Sequence, residues 1–222
     1  MFNIKNVSID SCVIIVPTSN IVDKDNILKD DILVLNANTM EILDYKNFYV
    51  QDEFRGIKTS MRLVNLFGKQ FLSFGLTAKM LGTDYLQGIS HKNYMKAIQY
   101  VERRTGLYFH NLDNAILHDC DIKYDFYMSD REFNTLVNFY NQFPTARRYK
   151  RTRQSFKDTP QWSGIQLVTR KDASIGNPFI KFYTKADEMM QRDHSRTFAE
   201  FYNIKPDKEL RRLRHHKKCV SF

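Results

Sequence analysis

The sequence predicts an α+β fold in which an antiparallel β-sheet carries helices on one face. Three observations predict it. Short strand-like runs recur along the whole chain, two pairs of these runs are joined by glycine-containing turns, and only a few segments show the helical period of apolar residues. Strands that follow one another in hairpins and alternate with a few helices are typical of this class.

In the first half of the chain we expect strands and one helix. The predicted strands are residues 8–17, 31–36, 58–67 and 70–81. The last two form a hairpin, because Gly68 lies in the turn between them. The helix is expected over residues 91–105, with Ser90 as its N-cap and Gly106 as the residue that ends it. Its inward face is predicted to consist of Tyr94, Ile98 and Val101.

In the second half, strands are predicted at residues 115–128, 162–170 and 179–184. Ser129 and Glu132 have the spacing of a capping box, so a helix is expected to follow and to end before Pro144. Its inward face is predicted to consist of Phe133, Leu136, Val137 and Tyr140. A last helix is expected over residues 185–202. For the strands from residue 58 onward, this order favours a ferredoxin-like or RRM-like core.

The balance of charge favours an anionic partner. The chain has 34 Lys and Arg against 25 Asp and Glu, a formal net charge of +9, and a pI of about 9.4. Residues 1–60 hold six basic and nine acidic side chains, whereas the remainder holds 28 basic and 16 acidic ones, a net charge of +12. Nucleic acid is therefore the first expected partner and a membrane surface the second. No run of 18 apolar residues exists, so no membrane-spanning segment is expected.

The cysteines favour a reducing compartment. Cys12, Cys120 and Cys219 are odd in number, lie far apart and form no CxxC pair. Neither a zinc ribbon nor a disulfide scaffold is therefore expected. Free thiols of this kind predict a cytoplasmic protein.

Residues 115–128 gather acidic side chains on one face of a predicted strand. Alternation places Asp119, Asp121, Lys123 and Asp125 on one face, and Cys120, Ile122, Tyr124 and Phe126 on the other. The second set is apolar and is expected to pack on the core. In the first set, like charges repel unless a cation lies between them, and carboxylates are the ligands that a hard divalent ion prefers. The alternative is an ordinary solvated sheet face.

A tyrosine, a lysine and a carboxylate follow one another where the strand 179–184 runs into a helix, at Tyr183, Lys185 and Glu188. A phenol has a pKa of about 10, so it needs a metal or a cation to become a nucleophile near neutral pH. Lys185 would supply the cation. A Mg²⁺ or Mn²⁺ ion held by Asp121 and Glu188, with Asp125 as a further ligand, would supply the metal. The alternative is a core tyrosine whose hydroxyl is hydrogen-bonded.

A basic linker is predicted over residues 145–160. Six cations lie between residues 147 and 157, with interleaved aromatic residues and no acidic residue before Asp158. Cationic groups neutralise phosphates, and aromatic rings can stack on exposed bases, so we predict that this segment binds nucleic acid. The alternative is a solvated loop. The predicted DNA-binding residues are Arg147, Arg148, Lys150, Arg151, Arg153 and Lys157, together with Arg170 of the following strand.

At these residues the sequence resembles the rolling-circle replication initiators of filamentous phages and, more distantly, the plasmid Rep nickases. That family has an Asp-centred strand, a helix, and a Trp-containing hairpin whose second strand carries Tyr-x-Lys-x-x-Glu. The matching features here are Asp121 with Asp125, the helix 130–143, the run 162–170 and the residues 183–188. The chain departs from the pattern with Asp119 in place of an arginine, with Gln166 where the plasmid relatives carry their tyrosine, and by lacking a His-apolar-His triplet.

The resemblance implies a fold related to the HUH-type Rep nucleases and a metal-dependent DNA-nicking endonuclease and strand transferase. Tyr183 would attack the scissile phosphate, Lys185 would stabilise the charge, and a 5′-phosphotyrosine and a free 3′-OH would result. The implied partner is origin DNA, partly single-stranded, with a host helicase as a candidate second partner. If the protein is viral, its compartment would be the cytoplasm of the host cell.

This interpretation divides the chain into three parts. Residues 58–204 would form the nickase domain, residues 205–222 a basic C-terminal tail, and residues 1–57 either a separate module or further strands of the same sheet. Two alternatives need no chemistry at the tyrosine. One is an RRM-like nucleic-acid-binding protein that uses only the basic and aromatic residues, and the other is a scaffold or packaging protein with a basic surface.

Overall fold

The fold is taken from a computed structural model. It describes residues 7–22, 33–35, 42–45, 48–52, 55–142, 149–153, 164–169, 180–191, 193–205 and 207–218. The strands are β1 (Val7–Pro17), β2 (Leu33–Leu35), β3 (Ile42–Tyr45), β4 (Phe48–Asp52), β5 (Ile57–Leu66), β6 (Lys69–Thr77), β7 (Ile116–Tyr127), β8 (Tyr149–Arg153), β9 (Gly164–Thr169), β10 (Ile180–Thr184) and β11 (Leu210–Lys218). The helices are α1 (Tyr94–Thr105), α2 (Asp130–Gln142), α3 (Lys185–Gln191) and α4 (Asp193–Phe201), and two 3₁₀ segments cover Thr18–Asn20 and Ala78–Gln87.

Nine of these strands form one sheet in the order β4-β5-β6-β1-β7-β11-β10-β9-β8. All of its neighbouring strands pair antiparallel. Strands β2 and β3 pair separately. The predicted α+β fold with an antiparallel sheet is therefore confirmed. Because β1 and β4 belong to the large sheet, at least part of residues 1–57 adds strands to it. Within the described ranges, no helix is long and apolar enough to cross a membrane.

Several local predictions are confirmed by the hydrogen bonds. Ser129 and Glu132 form the capping box of α2, with the Ser129 hydroxyl donating to Glu132 Oε2 at 2.7 Å. The backbone N–H of Ser129 also donates to that carboxylate, at 3.1 Å. Gly106 ends α1 in the left-handed conformation at a φ of 73°. The predicted N-cap is wrong, because α1 begins at Tyr94 and Asn93 precedes it.

Other element predictions are wrong in instructive ways. The last helix is divided into α3 and α4, and the second strand of the early hairpin ends at Thr77, where a 3₁₀ segment begins. The basic linker contains strand β8, which pairs with β9. The basic tail contains strand β11, which lies in the sheet between β7 and β10. In both basic segments the β-strand was not predicted, because closely spaced cations are more typical of a solvated loop or tail.

Around β11, the pairing register places polar residues on one face of the sheet and apolar residues on the other. Arg212 pairs with Asp125 on one side and with Tyr183 on the other, so these three residues share one face, here called the polar face. Their neighbours Phe126 and Phe182 point to the opposite, apolar face. This is the division that alternation predicts for residues 119–126.

Buried hydrophobic residues form two clusters. The larger cluster joins β1, β5, β6 and α1 with the 3₁₀ segment 78–87 and with α3 and α4, and Ile98 and Val101 are buried in it as predicted. The smaller cluster consists of Phe133, Val137, Ile165 and Phe182, with Phe126 stacked on Phe182 at a ring-centroid distance of 5.7 Å. Tyr94 and Tyr140, which were predicted to face inward, are instead exposed. Helix α2 is also held by Arg211, which lies 4.7 Å from the Phe133 ring and 2.6 Å from Asp130 Oδ1.

Candidate functional site: a buried ionic network on the polar face

The Tyr-x-Lys-x-x-Glu motif lies where β10 runs directly into α3. Tyr183 is the second-last residue of β10, and Lys185 and Glu188 lie in the first turn of the helix. The helix spacing of three residues lets Lys185 form an ion pair with Glu188. The Lys185 ammonium also donates a hydrogen bond to the Tyr85 hydroxyl at 2.5 Å. All of these groups are buried: Tyr183 is 2% exposed, Lys185 1% and Glu188 8%.

Arg212 of β11 is the centre of a second group of contacts. Its Nε and Nη2 donate to the two carboxylate oxygens of Asp125 at 2.6 and 2.7 Å, a bidentate pair across two strands. Its Nη1 donates to Asp10 at 2.8 Å. Lys123 donates to the same Asp125 at 2.9 Å and to the carbonyl of Leu86 at 2.5 Å. Arg212 is fully buried and Lys123 nearly so.

Asp121 has partners of its own. It forms an ion pair with Arg214, and the Ser11 hydroxyl donates to it at 2.6 Å. Arg214 also lies 3.6 Å from Asp10, which links this pair to Arg212. The ring of Tyr85 joins the two halves of the network, since Lys185 lies 4.8 Å and Arg212 5.9 Å from its centroid.

The charges of this network cancel. It contains the carboxylates Asp10, Asp121, Asp125 and Glu188, and the cations Lys123, Lys185, Arg212 and Arg214. Buried charges are costly unless each is paired and hydrogen-bonded, and here each of them has an opposite charge beside it.

The network shifts the pKa values of its members in opposite directions. Burial raises the pKa of the Tyr183 phenol to about 12, although the charges of Lys185 and Arg212 oppose this. Burial also lowers the pKa of Lys123 to about 8. For Asp125, burial alone would raise the pKa, but the hydrogen bond and charge of Arg212 hold it below its usual range. Glu188 and Asp10 are likewise held low, by Lys185 and by Arg212 respectively, against the effect of burial.

These shifts predict a loss of stability in acid. The folded-state pKa values of Asp10, Asp125 and Glu188 lie below their unfolded values, so their contribution is fully present above about pH 5. It is lost as the pH falls through the folded values, because the unfolded chain then binds more protons. We expect the urea midpoint to fall between pH 6 and pH 3, and Asp125→Asn to make this fall smaller. A midpoint that stays constant over this range would contradict the ionic assignment.

The structure brings the predicted catalytic and metal-binding residues to one face but not into a metal site. Asp121, Asp125 and Glu188 are each paired with Arg or Lys, so a divalent ion would compete with cations already in place. In the part of the chain that the structure describes, no group of three His, Cys, Asp or Glu is placed to hold a metal. These residues as arranged do not fit Mg²⁺ or Mn²⁺, and the metal stays a prediction.

The predicted DNA-binding residues are only partly located. Lys150, Arg151 and Arg153 lie in the edge strand β8. Arg147, Arg148, Lys157 and Arg170 lie outside the described residues, as does Trp162.

Sequence reasoning missed Asp10, Tyr85, Arg212 and Arg214 as members of the network. Residues 210–214 are Leu-Arg-Arg-Leu-Arg, which does not alternate between apolar and polar side chains, so no strand pattern indicated β11.

Comparison with known proteins adds little to this picture. No protein-family model matches the chain, and no curated protein matches it. Among solved structures, it is similar to a rolling circle replication initiator protein from Geobacillus stearothermophilus. That similarity has 10% sequence identity and a TM-score of 0.41, and it covers 96% of this chain and 74% of that one. An identity and a TM-score this low do not establish a common family or function.

Proposed function

We propose that this protein binds DNA and acts in replication initiation, the activity implied by its resemblance to the rolling-circle initiators. DNA binding is supported by the location of the protein's net positive charge. The four cations of the buried network are cancelled by its four carboxylates. The whole net charge of +9 therefore lies with residues outside that network. Charge that the fold does not neutralise internally favours an anionic partner.

The described surface supplies cations for such a partner. Exposed basic residues are found on β5, at the start of β6, just before and within α1, on α2, and between α4 and β11. They include Arg62, Lys69, Lys92, Arg103, Arg131, Lys205 and Lys208. The sequence of the edge strand β8 includes Lys150, Arg151 and Arg153. DNA phosphates can be contacted from several of these elements at once, so the affinity should depend steeply on salt.

The test is a binding titration of a fluorescein-labelled single-stranded oligonucleotide of about 20 nucleotides, followed by anisotropy from 50 to 200 mM salt. Each phosphate contact contributes about −0.7 to the slope of log K against log salt for a single strand. We expect a slope steeper than about −2, which corresponds to at least three contacts. Absence of binding at 50 mM salt would contradict the proposal.

A second candidate function is the nicking of one origin strand by Tyr183. It is favoured by one observation, namely that the phenol lies on the same face as Lys185 and Arg212, two cations suited to a phosphate. The tyrosine oxygen would form a bond to phosphorus, and the 3′-oxygen of the cleaved strand would leave, giving a 5′-phosphotyrosine and a free 3′-OH. The roles proposed for Tyr183 and Lys185 are those of nucleophile and charge stabiliser.

Two features of the geometry weigh against nicking in the conformation described. The Tyr183 side chain is 2% exposed, and its pKa is raised rather than lowered. Nicking therefore requires the contacts of α3 to open so that a phosphate can replace Glu188 beside Lys185. DNA binding without chemistry, as in an RRM-like protein, needs no such opening. A cytoplasmic location and a helicase partner accompany the initiator proposal as predictions.

A further inference from the structure

A cationic pocket is lined by residues that do not belong to the Tyr183 network. It is a pocket of about 430 Å³ between the turn that joins β4 and β5, the last turn of α1, and the end of α4. Its lining residues are Asp52, Arg55, Tyr100, Arg103, Arg104 and Phe201. Three arginines and one carboxylate give this lining a formal charge of +2. None of these arginines belongs to the basic segment 147–157 that the sequence analysis singled out.

One arginine of the pocket is fixed by a buried carboxylate. Asp52 is 3% exposed; it accepts a hydrogen bond from the Tyr100 hydroxyl at 3.0 Å and lies 2.5 Å from Arg104 Nη2. Hydrogen bonding to Tyr100 and the charge of Asp52 raise the pKa of Arg104 despite its partial burial. Arg104 is thus held in position and permanently charged, while its side chain remains 43% exposed.

A second arginine is held by aromatic rings. The Arg55 guanidinium lies 5.3 Å from the Phe201 ring centroid and 5.8 Å from that of Tyr202. Its Nε lies 3.5 Å from Asp52, and its backbone N–H donates to the same carboxylate at 3.2 Å. Phe201 is 51% exposed, so part of its ring remains open to a ligand.

Ordinary helix electrostatics does not account for this arrangement. Arg103 and Arg104 complement the negative end of the α1 dipole, as basic residues in a last turn often do. That explanation does not cover Arg55, which comes from a different element and approaches the other two although their like charges repel. A single carboxylate neutralises only one of the three. An anion in the pocket would satisfy the remaining two charges.

We propose that this pocket binds a phosphate group of a nucleotide or of a nucleic-acid strand. Arg103 Nε donates to the carbonyl of Gln99 at 3.1 Å, and Arg55 Nε lies 3.5 Å from Asp52. The Nη groups of both guanidiniums supply the N–H donors that phosphate oxygens accept. The exposed ring of Phe201 provides a face on which the attached base stacks. This site is separate from the Tyr183 network, and its binding of phosphate requires neither nicking nor a metal.

The test compares the double variant Arg55→Gln/Arg103→Gln with the wild-type protein. Arg104 is left unchanged, because its removal would leave the buried Asp52 without that partner. With a fluorescein-labelled single-stranded 12-mer we expect the double variant to bind at least tenfold more weakly, with a salt slope shallower by about 1.4 for two lost phosphate contacts. The matched control Arg196→Gln removes an exposed arginine of α4 that does not line the pocket and should change the affinity less than twofold.

Three further measurements separate the outcomes. Titration with dAMP tests whether the protein binds a free nucleotide. A loss of dAMP binding in the double variant would support binding of the phosphate of a free nucleotide in this pocket. An abasic 12-mer tests stacking on Phe201. Stacking is supported if the wild type binds the abasic strand more weakly than the ordinary 12-mer, and if the wild type and Phe201→Leu bind the abasic strand with equal affinity. The single variant Arg103→Gln, whose side chain is exposed, provides the comparison if the double variant does not fold.

The proposal is overturned if the folded variants bind both the 12-mer and dAMP as tightly as the wild type does. In that case wild-type binding of the oligonucleotide would still support the DNA-binding function. A wild-type protein that binds neither probe overturns both proposals together. The two failures are therefore distinguishable in one set of titrations.

Discussion

The variant Asp125→Ala is expected to lower the free energy of unfolding by about 3–5 kcal/mol, the usual cost of removing one partner from a buried ion pair. Asp125 accepts two hydrogen bonds from Arg212 and one from Lys123. Both cations are almost completely buried, so neither can turn to water when the carboxylate is lost. The measurement is urea-induced unfolding at pH 7, followed by circular dichroism.

The matched control is Asp84→Ala. Asp84 also forms an ion pair, with Lys96 at 2.9 Å, but the side chains of Lys96 and Asp84 are 62% and 34% exposed. Surface pairs contribute about 0–1 kcal/mol, so this variant should remain close to the wild type. If Asp125→Ala and Asp84→Ala have equal effects, the polar face is not the densely paired ionic core that its distances indicate.

The variant Tyr183→Phe is expected to abolish the covalent DNA–protein adduct that the second candidate function requires. The substitution removes only the hydroxyl oxygen that would form the bond to phosphorus, and it leaves the buried ring in place. The measurement is denaturing electrophoresis after incubation with labelled origin oligonucleotides and Mg²⁺ or Mn²⁺. Anisotropy titration of the same oligonucleotides should give an unchanged affinity.

Tyr127→Phe is the control for this experiment, since Tyr127 is a 69% exposed tyrosine at the end of β7. It should form as much adduct as the wild type. An adduct that persists in Tyr183→Phe would assign the nucleophile to another residue. If the wild type forms no adduct with either metal, the nicking function is excluded under those conditions and DNA binding without chemistry remains.

Much of the local structure could be predicted because it depends on neighbours in sequence. The capping box of α2 needs only Ser129 and Glu132, three residues apart. The two faces of β7 follow from simple alternation, and the apolar side chains Cys120 and Phe126 pack in the core as expected. In such segments, local propensity and tertiary packing favour the same structure.

The candidate site was harder to predict because its partners are distant in sequence. Asp125 and Arg212 are 87 residues apart, and Asp10 and Arg212 are 202 apart. Residues 205–218 contain so many cations that a solvated tail was the natural interpretation. A buried arginine is rare unless it is paired, and the carboxylates that pair with Arg212 become visible only when β11 is placed beside β7. Asp125 was instead predicted as a metal ligand together with Asp121 and Glu188, since spacing alone does not show whether a carboxylate will pair with a metal ion or with an Arg or Lys side chain.

The position of β11 has a consequence for how the chain folds during translation. Strands β8, β9 and β10 reach the rest of the sheet only through β11, which is the last described strand to leave the ribosome. Its contacts with β7 join residues more than 80 positions apart, a high contact order that favours slow folding. Until β11 is made, the edges of β7 and β10 are unpaired and open to aggregation. A nascent chain of this protein should therefore depend on chaperones until β11 has been synthesised.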